Sequence, residues 1–367
     1  MDLADLVVES GAKSVAIVGT GKNVGKTVTL NYLVGELSSR GYTLALLSSG
    51  RDGERIDALT GEPKPQVYLP EGSWVATAEA FLEGASISLE VVDVWERPGV
   101  FGRLVLGRVV EPGLAELMGP RSARQLSSAV NKFLAYGADI VLVDGALDRR
   151  AAASPLVTEA CILATGASSA DDLNGIVETL ESLIWAWALP GPEDPSLLEL
   201  GIRAVEKERV AVLKLGKVRG AGRTDAHLQP VLAFTDYPTA LNYEGEIARE
   251  IDEDAIGLVV PGSVDRVLLQ EVSGRLAQLN KPVPFYLLMR DPSCAMFRRE
   301  HAIPLERMGG RVRVLQQGKV LAVTINPCSS GEMLYEPRKL VRYIGQRVKP
   351  VPVFDVVSGE SFWEEVA

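Results

Sequence analysis

The sequence predicts an α/β fold built on a parallel sheet, with a β insertion in its first part and a second, smaller α/β domain towards its end. Three observations carry this. Short apolar runs alternate with segments of helical period, a glycine-rich turn joins the first run to the first helix, and an acidic residue closes a later, wholly apolar run. The chain has 367 residues, more than a single hydrophobic core usually holds, so one large domain with an appendage, or two domains, is expected. Their expected extents are 1–225, with an insertion at about 61–113, and 226–367.

Residues 14–18 form a short apolar run ending in glycines, the pattern of a buried parallel strand. Leu30, Leu33, Val34 and Leu37 then recur at helical spacing, and Gly41 follows as a C-terminal cap. An apolar run at 42–47 and a polar loop at 48–53 complete a βαβ unit with a right-handed crossover. Between 61 and 113, two alternating runs at 88–96 and 103–111, separated by Arg97-Pro98-Gly99, predict a hairpin-like insertion. Ser122 and Gln125 have capping-box spacing, Leu126, Val130, Phe133 and Leu134 share one helical face, and Gly137 ends the helix. Residues 139–145 read as a strand that delivers Asp144 to its carboxyl end, where ligands bind in open α/β sheets.

A strand at 160–165 follows, and then a helix with Leu173, Ile176, Val177, Leu180, Leu183, Ile184 and Trp187 on one face, stopped by Pro190. Segments 190–195 and 216–224 read as loops and candidate linkers. Beyond them, 255–260 and 283–288 read as strands around a helix capped by Ser263, with Val264, Leu268, Val272 and Leu276 in register. Two further runs, 311–315 and 320–325, joined by Gln316-Gln317-Gly318-Lys319, predict a β-hairpin. A helix at 337–346 and a strand at 351–357 end the chain.

Composition excludes several classes. A net charge of -10 repels a phosphate backbone, and no basic run offsets it locally, so nucleic acid is not an expected partner. No apolar run is long enough for a membrane span, and the start Met1-Asp2-Leu3-Ala4-Asp5 lacks a signal peptide's basic region. A cytoplasmic protein without membrane contact is the expectation. Cys161, Cys294 and Cys328 match no disulfide or zinc spacing and read as buried thiols.

The chemistry is concentrated in Gly19-Thr20-Gly21-Lys22-Asn23-Val24-Gly25-Lys26-Thr27-Val28. A Gly-Lys-Ser/Thr tripeptide alone arises by accident in roughly one chain of this length in five. Strand before, helix after and extra glycines at 19 and 21 make this one a phosphate-binding P-loop. Gly21 and Gly25 let backbone N–H groups turn towards phosphates, and the helix start presents its positive dipole end. Lys26 is expected on the β- and γ-phosphates of ATP and the Thr27 hydroxyl on Mg2+. A carboxylate must complete the metal shell, and Asp144 and Asp52 are the candidates, each at a predicted strand end. Arg51, Arg149 and Arg150 lie near those ends but read as solvated side chains. Pro261-Gly262-Ser263 reads as a plain cap, and Asn326-Pro327-Cys328 as a structural turn at a strand end. The absence of an Asn-Lys-x-Asp guanine reader favours ATP over GTP.

The first loop glycine stands at 19 rather than 20. Gly19-Thr20, with Val24-Gly25-Lys26-Thr27, resembles the loop of dethiobiotin synthetase and its relatives in the SIMIBI class of P-loop NTPases. The likeness is specific over about 17–30 and diffuse over the first 215 residues. In that class an acid after the second strand commonly touches magnesium, a place that Asp52 matches. Gly19 to Asn23, the loop Gly50-Arg51-Asp52-Gly53-Glu54 and the stretch from Asp144 to Arg150 also look like the P-loop subunit associated with lysine 5,6-aminomutase reactivation. That resemblance implies an ATPase that services a partner protein, an enzyme or a second ATPase subunit, and exchanges damaged cobalamin from a cobalamin-dependent aminomutase. The alternatives are a dethiobiotin-synthetase-like ligase or kinase acting on a small carboxylate, which Arg51 without a neighbouring lysine supports less well, and a nucleotide sensor without turnover. A homodimer is compatible with each.

Overall fold

The computed structural model describes residues 1–52, 66–82, 85–99, 102–120, 122–146, 152–219, 226–280, 284–329 and 331–363. It is an α/β protein whose chain divides into two compact units, residues 1–181 with 319–367, and residues 182–318. The division therefore does not fall at 225. Residues 216–219, expected as part of a linker, belong to the strand Ala211–Arg219, which pairs antiparallel with Ala226–Phe234 and sets Leu215 opposite Pro230. The ladder runs unbroken through Gly216, opposite Gln229, and Lys217, opposite Leu228, so backbone pairing holds the segment as a strand despite its glycine.

The first unit is organised by a 10-stranded sheet. From one edge to the other its strands are Ser361–Phe362, Val353–Phe354, Val320–Asn326, Ala160–Gly166, Ser14–Gly19, Ile140–Ala146, Leu44–Ser48, Trp74–Ala78, Gly102–Glu111 and Ser88–Gly99. Strands from Val353–Phe354 to Trp74–Ala78 are mutually parallel, and the outer pairings are antiparallel. Ser14–Gly19, Leu44–Ser48 and Ala160–Gly166 are buried at every position, the composition of strands covered by helices on both faces. Leu30, Leu33, Val34 and Leu37 of the helix Lys26–Ser39 share a core with Val15, Ile17, Leu142 and Ile162. The helix ends as expected, with Gly41 in the left-handed conformation just past its cap.

The insertion is the antiparallel hairpin that the alternation predicts, with strands that run past Arg97-Pro98-Gly99 on one side. Ser122 caps Ala123–Ala135 by accepting from the Gln125 amide. A first helix, Leu3–Glu9, was not expected; Asp2 and Asp5 close a reciprocal capping box around its start.

The second unit has a 5-stranded sheet in the order Ala226–Phe234, Ala211–Arg219, Ala255–Val260, Tyr286–Met289, Arg311–Val314. The last three strands are parallel. The helix after Ala255–Val260 is Arg266–Gln278, capped by Asp265, whose carboxylate accepts from the Leu268 amide; Ser263 is not its cap, and Val264 lies in a short strand. A further helix, Pro195–Glu206, starts on Asp194, at the end of the expected loop 190–195.

The expected hairpin 311–325 does not form. Arg311–Val314 pairs with Tyr286–Met289 in the second unit, whereas Val320–Asn326 pairs with Ala160–Gly166 in the first. Leu315 and Gln316 donate to the Met289 and Arg290 carbonyls, so the chain runs on along its parallel neighbour instead of turning back. Gly318 serves packing, since a Cβ there would lie 2.6 Å from Trp187 Cδ1.

Candidate functional site

The carboxyl ends of several central strands lie side by side in the first sheet. Ser14–Gly19 lies between Ile140–Ala146 and Ala160–Gly166, with Ile17 opposite Asp144 and Gly19 opposite Ala164. Gly166 is in turn opposite Asn326. The chain leaves Ser14–Gly19 towards Leu44–Ser48 on one side and leaves Ala160–Gly166 towards Val320–Asn326 on the other. These two strands therefore flank the switch point of the sheet, where open α/β sheets form their crevice.

The loop 19–27 fills that place and is fastened from three sides. The Thr20 amide donates to the Ala164 carbonyl at 2.8 Å, and its hydroxyl donates to Thr165 Oγ1 at 2.8 Å. Ser168 Oγ donates to the Lys22 carbonyl, and Asn326 Nδ2 to the Asn23 carbonyl, each at 2.8 Å. Val24 is buried and anchors the loop's middle in the core. Asn23 at φ 56 and Gly25 at φ 89 turn the chain sharply into Lys26–Ser39. No side chain caps that helix. Gly25 at its N-cap has no side chain to bond the first turn, and a helix start of this kind suits an anion.

Lys26 explains the displaced glycine. Its stem lies across Gly19, where a Cβ would stand 2.7 Å from Lys26 Cδ. The side chain thereby reaches Asp144, with Nζ 4.0 Å from Oδ1. This is an ion-pair separation, longer than a direct hydrogen bond. Asp144 is fully buried and Lys26 mostly so. A carboxylate in that position needs the compensating charge.

Thr27 and Val28 are half-buried in the first helical turn, Gly21 lies against Ser169, and Lys22 and Asn23 are exposed. Thr20 and Val24 face inward and hold the loop in place, whereas Thr27 stands beside Lys26 at the helix start. The backbone of Arg51–Asp52 pairs with Leu117–Met118, and the Ser49 amide donates to the Asp144 carbonyl. The second-strand loop is thus held against the Asp144 strand through the backbone. The side chains of Arg51, Asp52, Arg149 and Arg150, and the roles expected of them, lie outside the described residues.

No group of three or more His, Cys, Asp or Glu side chains among the described residues could hold a metal alone. A magnesium ion shared with phosphate oxygens needs no such group. Of the three expected buried thiols, Cys161 and Cys294 are buried and Cys328 is only half-buried. Burial pushes the Cys161 thiol up, and burial followed by the nearby Asp291 charge pushes Cys294 up to about 11, so neither supplies a thiolate at neutral pH. No described helix is long and apolar enough to cross a membrane.

The loop's fasteners escape the sequence reading. Thr165 and Ser168 lie in a segment with no motif, and Asn326 reads there as a turn former. One signal was present: Asn326, like Asp144, is a polar residue closing an apolar strand.

No family model matches the chain, and no curated protein matches it. Its class is that of α/β proteins in which a glycine-rich turn joins strand to helix at the switch point of a parallel sheet. Within that class, a lysine in this turn stands beside a buried aspartate on the adjacent strand.

Proposed function

We propose that this chain binds ATP with Mg2+ through the loop 19–27 and hydrolyses it to remodel a partner protein. One observation carries the nucleotide part: the Lys26 ammonium, delivered by an uncapped helix start, stands 4.0 Å from the buried Asp144 carboxylate on the adjacent strand. In this reading the Lys26 charge moves to the β- and γ-phosphates, and the first N–H groups of Lys26–Ser39 donate to phosphate oxygens. Thr27 and Asp144 are the hard oxygen donors that would hold magnesium, with Asp52 as a further carboxylate. Bound there, the ion neutralises charge developing on the transferring phosphoryl group. The residues fit this group, since a lysine and a carboxylate already balance each other at the strand ends.

The partner part rests on the resemblance of the loop and of the stretch beginning at Asp144 to the P-loop subunit of the aminomutase reactivase. Loops that a γ-phosphate orders and hydrolysis releases are a common means of biasing a contact with another protein. Steady-state ATP hydrolysis, measured alone, with a cobalamin-dependent aminomutase and with small carboxylates, tests it. Partner-stimulated turnover lost in Lys26→Ala is expected. Fast partner-independent turnover that requires a small carboxylate would sink the remodelling reading in favour of a ligase or kinase.

A further inference from the structure

Asn326 closes the apolar strand Val320–Asn326 and joins three segments. Its Nδ2 donates to the Asn23 carbonyl at 2.8 Å. Its Oδ1 accepts from the Cys328 amide at 3.1 Å. Its backbone carbonyl accepts from the Ala167 amide at 2.9 Å. The two side-chain partners are of opposite polarity, a carbonyl and an N–H, and they fix which end of the carboxamide points each way. Only a side chain with donor and acceptor at this short reach can meet both. A turn former needs the Oδ1 bond alone. The Nδ2 bond is surplus to the turn, and it falls on the one loop residue other than glycine with a left-handed backbone, Asn23 at φ 56.

The approach is close as well. A Cβ on Gly25 would lie 3.3 Å from Asn326 Cβ, and one on Gly166 would lie 2.4 Å from the Asn326 carbonyl oxygen. Gly25 in the loop and Gly166 at the end of the neighbouring strand thus leave room for Asn326. Glycine takes the left-handed conformation at position 25 without steric cost, but for Asn23 at φ 56 it is costly in a loop free in solution. A donor on the Asn23 carbonyl from outside the loop offsets that cost before any ligand arrives.

We infer that Asn326 is a positioning residue that clamps the loop 19–27 in its phosphate-ready shape by donating to the Asn23 carbonyl. This deepens the phosphate-binding reading and rests on it for its functional consequence, but the clamp itself is a property of the protein without nucleotide. Asn326→Asp separates the two roles: the carboxylate still accepts from the Cys328 amide and can no longer donate to Asn23. Asn326→Ala removes both bonds.

The test uses the full-length chain. Hydrogen exchange is followed by mass spectrometry in peptides covering 19–30, 44–48 and 327–335 without nucleotide, and affinity for a fluorescent ATP analogue with Mg2+ is measured in parallel. In Asn326→Asp, exchange across 19–30 rises about five- to tenfold, the worth of one hydrogen bond, while 44–48 and 327–335 keep the wild-type rates. Wild-type exchange in 19–30 for Asn326→Asp, with faster exchange in 327–335 for Asn326→Ala, would make Asn326 a turn former only and overturn the clamp. Analogue affinity that Lys26→Ala and removal of Mg2+ leave unchanged would overturn the phosphate reading instead, and the exchange result would stand or fall separately.

Discussion

Each unit places a fully buried aspartate near the carboxyl end of a parallel strand, Asp144 within Ile140–Ala146 and Asp291 two residues beyond Tyr286–Met289, yet the two are compensated in different ways. Asp291 accepts from Arg290 Nε at 2.8 Å and from the Ser293 amide at 2.8 Å. Those partners lie within two positions of it in the chain and close the short helical turn Pro292–Cys294. The positive charge beside Asp144 comes from Lys26, on the far side of a glycine loop and on another element. Burial of a strand-end acid is therefore no mark of chemistry in itself. The origin of its compensating charge is more informative, because a local partner fixes a turn and a remote one ties two separate elements together.

The largest expected effect breaks the comparison at the lysine. Lys26→Ala is expected to lower ATP turnover about a hundred- to a thousandfold, the usual cost of losing one charged donor on the transferring group. Loss of the same order is expected for Asp144→Asn, with a smaller change in analogue affinity, read from kcat and Kd separately. Turnover within twofold of wild type in both variants would remove Asp144 from the site and make the two aspartates alike.

The legible part of this contrast was the part that local chemistry writes into the chain. Strand, loop and helix at 14–39 follow from period and from glycine, and Asp144 announces itself as an acid on a run otherwise free of polar residues. The pairing of Val320–Asn326 with Ala160–Gly166 was not legible. Two apolar runs separated by Gln316-Gln317-Gly318-Lys319 carry the local signature of a hairpin, and only long-range pairing assigns them to different sheets. With that strand misassigned, Asn326 could not be brought beside the loop. The helix Pro195–Glu206 was hidden for a simpler reason: Asp194 and Pro195 read as the end of a loop although they are its cap and first residue.

The second test acts on the other aspartate. Asp291→Asn leaves the Arg290 guanidinium without its carboxylate, and equilibrium urea unfolding is expected to show a loss of about 2–3 kcal/mol. ATP turnover of the folded protein should stay at the wild-type value. A turnover loss without a stability loss would show that the second unit's aspartate also serves chemistry.

A milder change sharpens the reading of the displaced glycine. In Gly19→Ala the new methyl meets the Lys26 stem at 2.7 Å. That stem is flexible, so the fold survives and the ammonium shifts. A loss of about tenfold in Mg·ATP affinity is expected, roughly 1.4 kcal/mol, without a change in melting temperature. Unaltered affinity would mean that Lys26 reaches its ligand by another path.

The smallest effect concerns acid. A hydrogen bond from Lys132 holds the Asp93 carboxyl below the usual carboxylate range. A folded-state value below the unfolded one adds stability above the unfolded pKa, and that stability is lost as pH falls through the folded value. The pair is partly exposed, so its worth at neutral pH is at most about 0.5 kcal/mol. Asp93→Asn should therefore be slightly less stable than wild type at pH 7, with the difference closing below about pH 4, by urea titration at the two pH values. An equal difference at both would show that packing, and not charge, is lost.

The place of Asn326 in the chain also bears on how the protein is made. During synthesis the loop 19–27 and its strand emerge ahead of residues 182–318, and the strand that bears Asn326 emerges after them. Chains emerge from the N-terminal end, and early segments begin to fold before later ones exist. A nascent chain therefore carries Lys26 and Asp144 long before it carries the residue that fastens the Asn23 carbonyl. The bond from Asn326 waits on emergence of the whole second unit, so products truncated before that strand keep the anchors at Ala164, Thr165 and Ser168 and lack the donor to Asn23.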